Sequence, residues 1–300
     1  MAEQGKDDWN SGDYQHSASF VPKLAGKVTQ WLDLQKDDVV LDIGCGDGIL
    51  NLEFSKVLSE GKGSIHGIDS SAAMIVAARD LCKEHPNATF KGMATTPTWT
   101  SPKNQTSYTN HSSAVLDGTK IHSNAALQNA SFSKVFSNAA MHWILRAPAT
   151  RASFFAAVHA ALAPGGVFVF EMGGLGNVQE MAAALLVACA RRCPGGLAAV
   201  TERHYPWFFP DEAWVTAALE AAGFRADRVE REWRPTRADE GGVEGWLRLF
   251  GKAILESVPE GAEREAAVRE AAEALRFVCD DGHGGQMISY VRLRALATKV

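Results

Sequence analysis

The chain has no uninterrupted apolar run approaching the roughly 20 residues that cross a bilayer, so no membrane span is expected. It does not open on a basic stretch followed by an apolar one; residues 1–10 are polar and acidic, and no secretory signal is expected. Basic residues are not in excess. The 30 Lys and Arg stand against 35 Asp and Glu, and the formal charge of −5 argues against nucleic acid or an anionic membrane surface as partner. Cysteine is sparse and odd in number: Cys45, Cys82, Cys189, Cys193 and Cys279 show no zinc spacing, so neither a metal site nor a disulfide framework is expected. Cys189 and Cys193 lie one helical turn apart in an apolar stretch and read as core packing. These absences point to a cytoplasmic chain with reduced thiols. What remains is ordinary for a globular protein, 46% hydrophobic and 22% charged, and 300 residues suffice for one large α/β domain or two small ones.

Strand and helix signals alternate along the chain. Apolar residues at helical spacing (Val21, Leu24, Val28, Trp31) predict a lead-in helix over 21–34. Val39-Val40-Leu41 reads as a buried strand, 44–48 as a glycine-rich turn, 49–58 as a helix and 64–68 as a second strand. Ser70 or Ser71 can cap a helix running to residue 81. The segment 95–133, rich in Thr, Ser, Asn and Gln, breaks the rhythm and reads as a polar surface insertion, with a brief strand at Ala114-Val115-Leu116. Order resumes with a strand over 134–137, a helix over 151–162, a strand over 167–171 and a helix over 178–192 that ends near Gly195-Gly196. Asp211 caps a helix that Gly223 stops, and a strand follows over 228–233. Helices over 243–255 and 263–277 form a helical insert, and an alternating strand closes the chain over 287–297. This alternation predicts a parallel, doubly wound sheet with helices on both faces.

The run Leu41-Asp42-Ile43-Gly44-Cys45-Gly46-Asp47-Gly48 lies between a strand and a helix. Glycines there let the backbone turn sharply and let a ligand approach with no Cβ in the way. Several nucleotide-binding families share such a loop, and two details narrow the choice. The spacing is G-x-G-x-G; the third glycine of the dinucleotide fingerprint would fall at position 49, which is Ile49. Asp42, at the strand end, would repel a pyrophosphate but suits an adenosine derivative with a cationic sulfonium arm; its other reading is a turn aspartate capping its own loop. Asp69 ends the next strand, where an acid accepts both hydroxyls of a ribose. Ser70 and Met74 follow on the entering helix, and Met74 reads either as an adenine contact or as core.

Further motifs extend the match. They are Phe136-Ser137-Asn138-Ala139-Ala140-Met141-His142-Trp143, Leu162-Ala163-Pro164-Gly165-Gly166, Gly173-Gly174-Leu175-Gly176-Asn177-Val178, Trp207-Phe208-Phe209-Pro210 and Tyr290-Val291-Arg292-Leu293-Arg294. With the glycine loop and Asp69, they resemble class I S-adenosylmethionine-dependent methyltransferases, in particular the small-molecule branch that includes trans-aconitate methyltransferase. The resemblance spans about 14–299 apart from the polar insertion. It implies a Rossmann-like, doubly wound, seven-stranded α/β sheet, mostly parallel with an antiparallel last strand. It also implies S-adenosylmethionine as donor, held by Asp42, Gly44, Cys45, Gly46, Asp69, Ser70, Met74 and Asn138. The acidic residue that meets the adenine in such enzymes is replaced by Met93 at its expected place, unless Asp117 supplies it. Residues 1–20, with Tyr14 and His16, would form a lid ahead of a methyltransferase domain over 21–300.

The acceptor is expected to be a small molecule. A carboxylate is ionised at neutral pH and needs no general base, whereas an amine or phenol usually does. His142, just after a strand end, is the candidate base; its other reading is a pocket wall beside Trp143, which shapes the pocket rather than reacting. Arg146 can hold a carboxylate through paired hydrogen bonds or lie exposed. Ser137-Asn138-Ala139-Ala140 lacks the Pro-Pro-aromatic run typical of DNA amino-methyltransferases. Nitrogen, sulfur or phenol oxygen as the methylated atom, and donor binding without turnover, stay open at this point.

Overall fold

A computed structural model of the chain describes residues 25–90 and 116–300. Helix α1 (Gly26–Leu32) leads into β1 (Val39–Ile43), α2 (Ile49–Leu58), β2 (Ser64–Ile68), α3 (Ala72–Leu81) and β3 (Ala88–Phe90). After two 3-10 turns, Gly118–Ser123 and Ala125–Leu127, come β4 (Phe132–Asn138), α4 (Met141–Ile144), α5 (Pro148–Ala161) and β5 (Leu162–Gly173). The chain continues through α6 (Gln179–Ala190), α7 (Gly196–His204), α8 (Glu212–Ala221), β6 (Phe224–Arg237), α9 (Gly242–Phe250), α10 (Lys252–Leu255), α11 (Ala262–Val278) and β7 (Met287–Lys299).

The seven strands form one sheet in the order β3-β2-β1-β4-β5-β7-β6. Strands β1 to β5 pair in parallel, and β7 runs antiparallel between β5 and β6. This is the seven-stranded, mostly parallel sheet with a reversed last strand that the resemblance implied. From β3 at one edge the chain returns to lay β4 beside β1. The winding therefore reverses between these two strands and opens a crevice beyond their carboxyl ends, where ligands of open α/β sheets bind.

Local chemistry accounts for the element ends. Ser71 caps α3, its Oγ accepting the Met74 amide at 3.2 Å, so of the two candidate caps it is Ser71 that serves. Asp211 caps α8 through the Trp214 amide at 2.8 Å, and Gly223, at φ 89°, ends it. The helical signal over 243–255 breaks into α9 and α10 at Gly251, where a Cβ would press on the Leu247 carbonyl and Leu185. Helix α7 has no counterpart in the sequence reading; it starts from a Gly195-Gly196 pair in left-handed backbone and buries only Val200, so its apolar periodicity is weak.

One face of the sheet packs Phe154, Phe155 and Val158 of α5 and Leu219 of α8 against Phe168, Phe170, Leu293 and Ala295. The other face packs Val28 and Leu32 of α1 and Phe54 and Leu58 of α2 on Val40, Ile65, Phe136 and Val169. A third core joins α6, α9 and α11 through Leu185, Leu247, Val268 and Leu275, beside the start of β7. In the described part of the polar segment, Leu116, Ile121 and Leu127 are buried in the first of these cores. Residues 1–24 and 91–115, which hold Tyr14, His16, Met93, Ala114 and Val115, lie outside the described residues. No helix among the described residues is long and apolar enough to cross a membrane.

Candidate functional site

The loop after β1 turns through Gly44 and Gly46, at φ 77° and 56°. It is pinned to the end of β2, because the Gly44 and Cys45 amides both donate to the Ile68 carbonyl, at 2.8 and 3.1 Å. A Cβ at Gly44 would overlap Ala140, so this glycine is also what lets the loop close on the turn after β4. Asp69, the residue after β2, accepts the Gly46 amide at 3.0 Å with Oδ2 and the Ser71 amide at 2.8 Å with Oδ1. Its carboxylate thus ties the glycine loop to the start of α3. Ser137 Oγ donates to the Ile43 carbonyl at 2.7 Å and fastens β4 to β1 at the same end.

A cavity of about 640 Å³ opens over these strand ends. At one end it is lined by Gly44, Gly46, Asp69, Ser70, Met74 and Asp117, with Asn138 alongside. Asn138 Oδ1 is buried with no hydrogen-bond partner among the described residues. At the other end stand Trp207, Phe209, Trp246, Phe250 and Tyr290, with Arg234 and Arg292. His142, Trp143 and Arg146 line it as well. Gly118 packs on Ile144, which places the turn carrying Arg146 on the Asp117 side.

Ten of the twelve residues singled out in the sequence therefore line one cavity. Asp42 and Cys45 do not. Asp42 is 2% exposed behind the loop, and burial first, then the charge of Asp69, lift its pKa to about 7; the neighbouring Asn51 amide pulls the other way. Cys45 turns its Sγ toward Gly67, where a Cβ would touch it, and burial followed by the charges of Asp69 and Asp42 pushes its thiol pKa well up. Met74 is both core, at 3% exposed, and cavity wall.

His142 is buried in α4, and its Nδ1 accepts the Gly173 amide at 3.4 Å. That bond places the proton of the neutral ring on Nε2. Burial, and then Arg292, hold the His142 pKa well below the usual histidine value.

The basic end escaped the sequence reading as a site. Glu171, 1% exposed near the end of β5, is shared by three guanidinium groups. Its Oε1 accepts Arg292 Nε at 2.9 Å and Arg234 at 3.3 Å, and its Oε2 accepts Arg294 Nε at 2.6 Å. Burial opposes the charge of Glu171, yet Arg292, Arg234 and Arg294 together hold its pKa below the usual carboxylate range. The signal for this cluster was the alternation in the last strand, which puts Tyr290, Arg292 and Arg294 on one face. Among the described residues no group of His, Cys, Asp and Glu could hold a metal ion.

Residues 14–229 match the model of a family described as a methyltransferase domain. The chain is 32% identical over 295 residues to an uncharacterised methyltransferase of Schizosaccharomyces pombe, covering 98% of this chain and 99% of the other. Its fold is similar to that of the YcgJ protein of Bacillus subtilis, with a TM-score of 0.53 at 14% identity, covering 91% and 97% of the two chains. It is also similar to a phosphoethanolamine N-methyltransferase of Haemonchus contortus solved with phosphomonomethylethanolamine and S-adenosylhomocysteine. There the TM-score is 0.53 at 15% identity, over 99% of this chain and 58% of that one.

Proposed function

The chain belongs to the methyltransferase domain family and is an S-adenosylmethionine-dependent methyltransferase, and we propose that it methylates a carboxylate oxygen of a small organic acid. The observation that carries this reading is the lining of one cavity, which joins Asp69 and Asp117 to Arg234 and Arg292, the pair of guanidinium groups that share a Glu171 oxygen.

The acidic end fits a cationic adenosine derivative. Asp69 is fixed at the cavity by the Gly46 and Ser71 amides, one on each oxygen, where a carboxylate suits ribose hydroxyls. Asn138 borders the same space. Gly44 and Gly46 bring backbone close to the donor, Ser70 and Met74 border it, and Asp117 is the acidic residue for the adenine amino group. Asp42 acts from behind the loop, through its charge. When bound, the donor supplies an electrophilic methyl on a positively charged sulfur.

At the basic end Arg292 and Arg234 orient an anionic acceptor, and the rings exclude water from it. A carboxylate oxygen gives its lone pair to the methyl carbon while the carbon–sulfur pair leaves with sulfur; no proton moves. His142, neutral with its proton on Nε2, donates a hydrogen bond here rather than taking a proton. The resemblance of the sequence motifs to a branch that acts on small organic acids supports the same choice.

Incubation with methyl-labelled S-adenosylmethionine and matched acids, phenols, amines and thiols tests the reading. Label is expected in an alkali-labile methyl ester. Label in an amine, thioether or phenyl ether, with none in ester, overturns it.

A further inference from the structure

We propose that the acceptor is a hydrophobic monocarboxylate, its head held between the guanidinium of Arg292 and the Nε2–H of His142, and its body laid along the aromatic wall. This deepens the carboxylate reading above and rests on it. Arg292 is 5% exposed and lines the cavity, and its Nε is fixed by Glu171, so the planar group is held in place with its terminal nitrogens toward the cavity. His142 is fixed in the same way from behind: Gly173, which pairs with Arg292 across β5 and β7, donates its amide to Nδ1 and turns Nε2–H outward. One donor on α4 and one on β7, on either side of β5, thus line one cavity.

The charge count there favours an anion. Arg234 and Arg292 share one carboxylate oxygen of Glu171, and the other oxygen belongs to Arg294. Aromatic boxes can also hold cations, but two guanidinium groups in this lining oppose that.

Beyond the head, the wall offers carbon. Trp143 and Trp207 meet edge-on at 5.5 Å, Trp207 stacks on Phe209 at 5.9 Å, and Trp246 and Phe250 continue the series at 5.3 Å. The Trp246 indole N–H is already donated to Tyr290 Oη at 2.6 Å. A second carboxylate carried along this ring series would lie against aromatic carbon, and burying it there is unfavourable. Arg146 lines the same cavity but has no part in the proposed clamp. Methylation removes the acceptor's charge and with it the ion pair to Arg292, which favours release of the ester.

The test uses the full chain with methyl-labelled S-adenosylmethionine and four probes: decanoate, 4-phenylbutyrate, citrate and decylamine. Decanoate and 4-phenylbutyrate are expected to give methyl esters with kcat/KM at least about 10-fold above citrate. Arg292→Lys keeps the charge but loses the fork, and is expected to raise KM for the monoacids about 10- to 100-fold. His142→Gln is expected to retain more activity than His142→Ala, because an amide can still accept from Gly173 and donate outward. S-adenosylhomocysteine affinity serves as the check that each variant is folded. Preference for citrate overturns the monocarboxylate proposal and leaves carboxylate methylation standing. Methylated decylamine with no ester overturns both. An unchanged monoacid KM in Arg292→Lys overturns the clamp. Absence of ester together with absence of saturable decanoate binding in calorimetry overturns the proposal as a whole.

Discussion

Asp42, the last residue but one of β1, is 2% exposed, and burial with the charge of Asp69 raises its pKa to about 7. In an unfolded chain the same group titrates near 3.9. Between those values the folded protein holds the extra proton, so its ligand-free stability falls as pH rises and levels off above about 7. Asp42→Asn is therefore expected to be more stable than the wild type at about pH 8, by on the order of 3 pKa units at about 1.4 kcal/mol each, with the gap closing toward pH 4. Urea denaturation at the two pH values without donor checks this; a variant less stable at both contradicts it. A cation bound nearby favours the ionised form, so donor affinity should strengthen as pH rises to about 7 and then level, and Asp42→Asn should show no such slope. Calorimetry across about pH 5.5–8 reads that slope directly, and a flat wild-type profile contradicts the charge assigned to Asp42. At this scale the sequence was informative where a residue carries its own backbone signature, as Gly44, Gly46 and Asp69 do. Arg292 shows no such mark, because its meaning comes from Glu171, which is 121 residues away in the chain.

The elements around the site are held by contacts of unequal weight, and two glycines of the β1–α2 loop separate them. Both are left-handed, which for a residue with a Cβ costs roughly 1–2 kcal/mol. Gly44 also meets Ala140 where its Cβ would stand, whereas nothing lies within 4 Å of that point at Gly46. Gly44→Ala is expected to destabilise the ligand-free protein by about 2–4 kcal/mol and Gly46→Ala by about 1 kcal/mol. Equal effects in chemical denaturation would show that the Ala140 contact does not constrain the loop. Elements with a clean period were read closely: 49–58 and 64–68 coincide with α2 and β2. The strand over 228–233 is in fact the inner part of β6, which runs Phe224–Arg237 at the sheet edge. Helix α7 escaped because a single buried valine gives no periodicity to read.

Across the whole molecule, the winding order brings β1 and β4 together and sets the cleft, while the reversed β7 carries Tyr290, Arg292 and Arg294 to its far side. The parallel half was visible in the sequence as alternating strands and helices with a glycine loop at the first turn. The arginine cluster was not, since it is assembled from β5, β6 and β7, segments that share no local pattern. The central claim is that this cleft binds a cationic adenosine donor through Asp69. Calorimetric titration of S-adenosylmethionine into the wild type and Asp69→Ala tests it most directly. The account predicts saturable binding to the wild type and a loss of about 100-fold or more in the variant, from two hydrogen bonds to a charged carboxylate. Equal affinity of the two proteins, or binding of NAD in place of the donor, contradicts it.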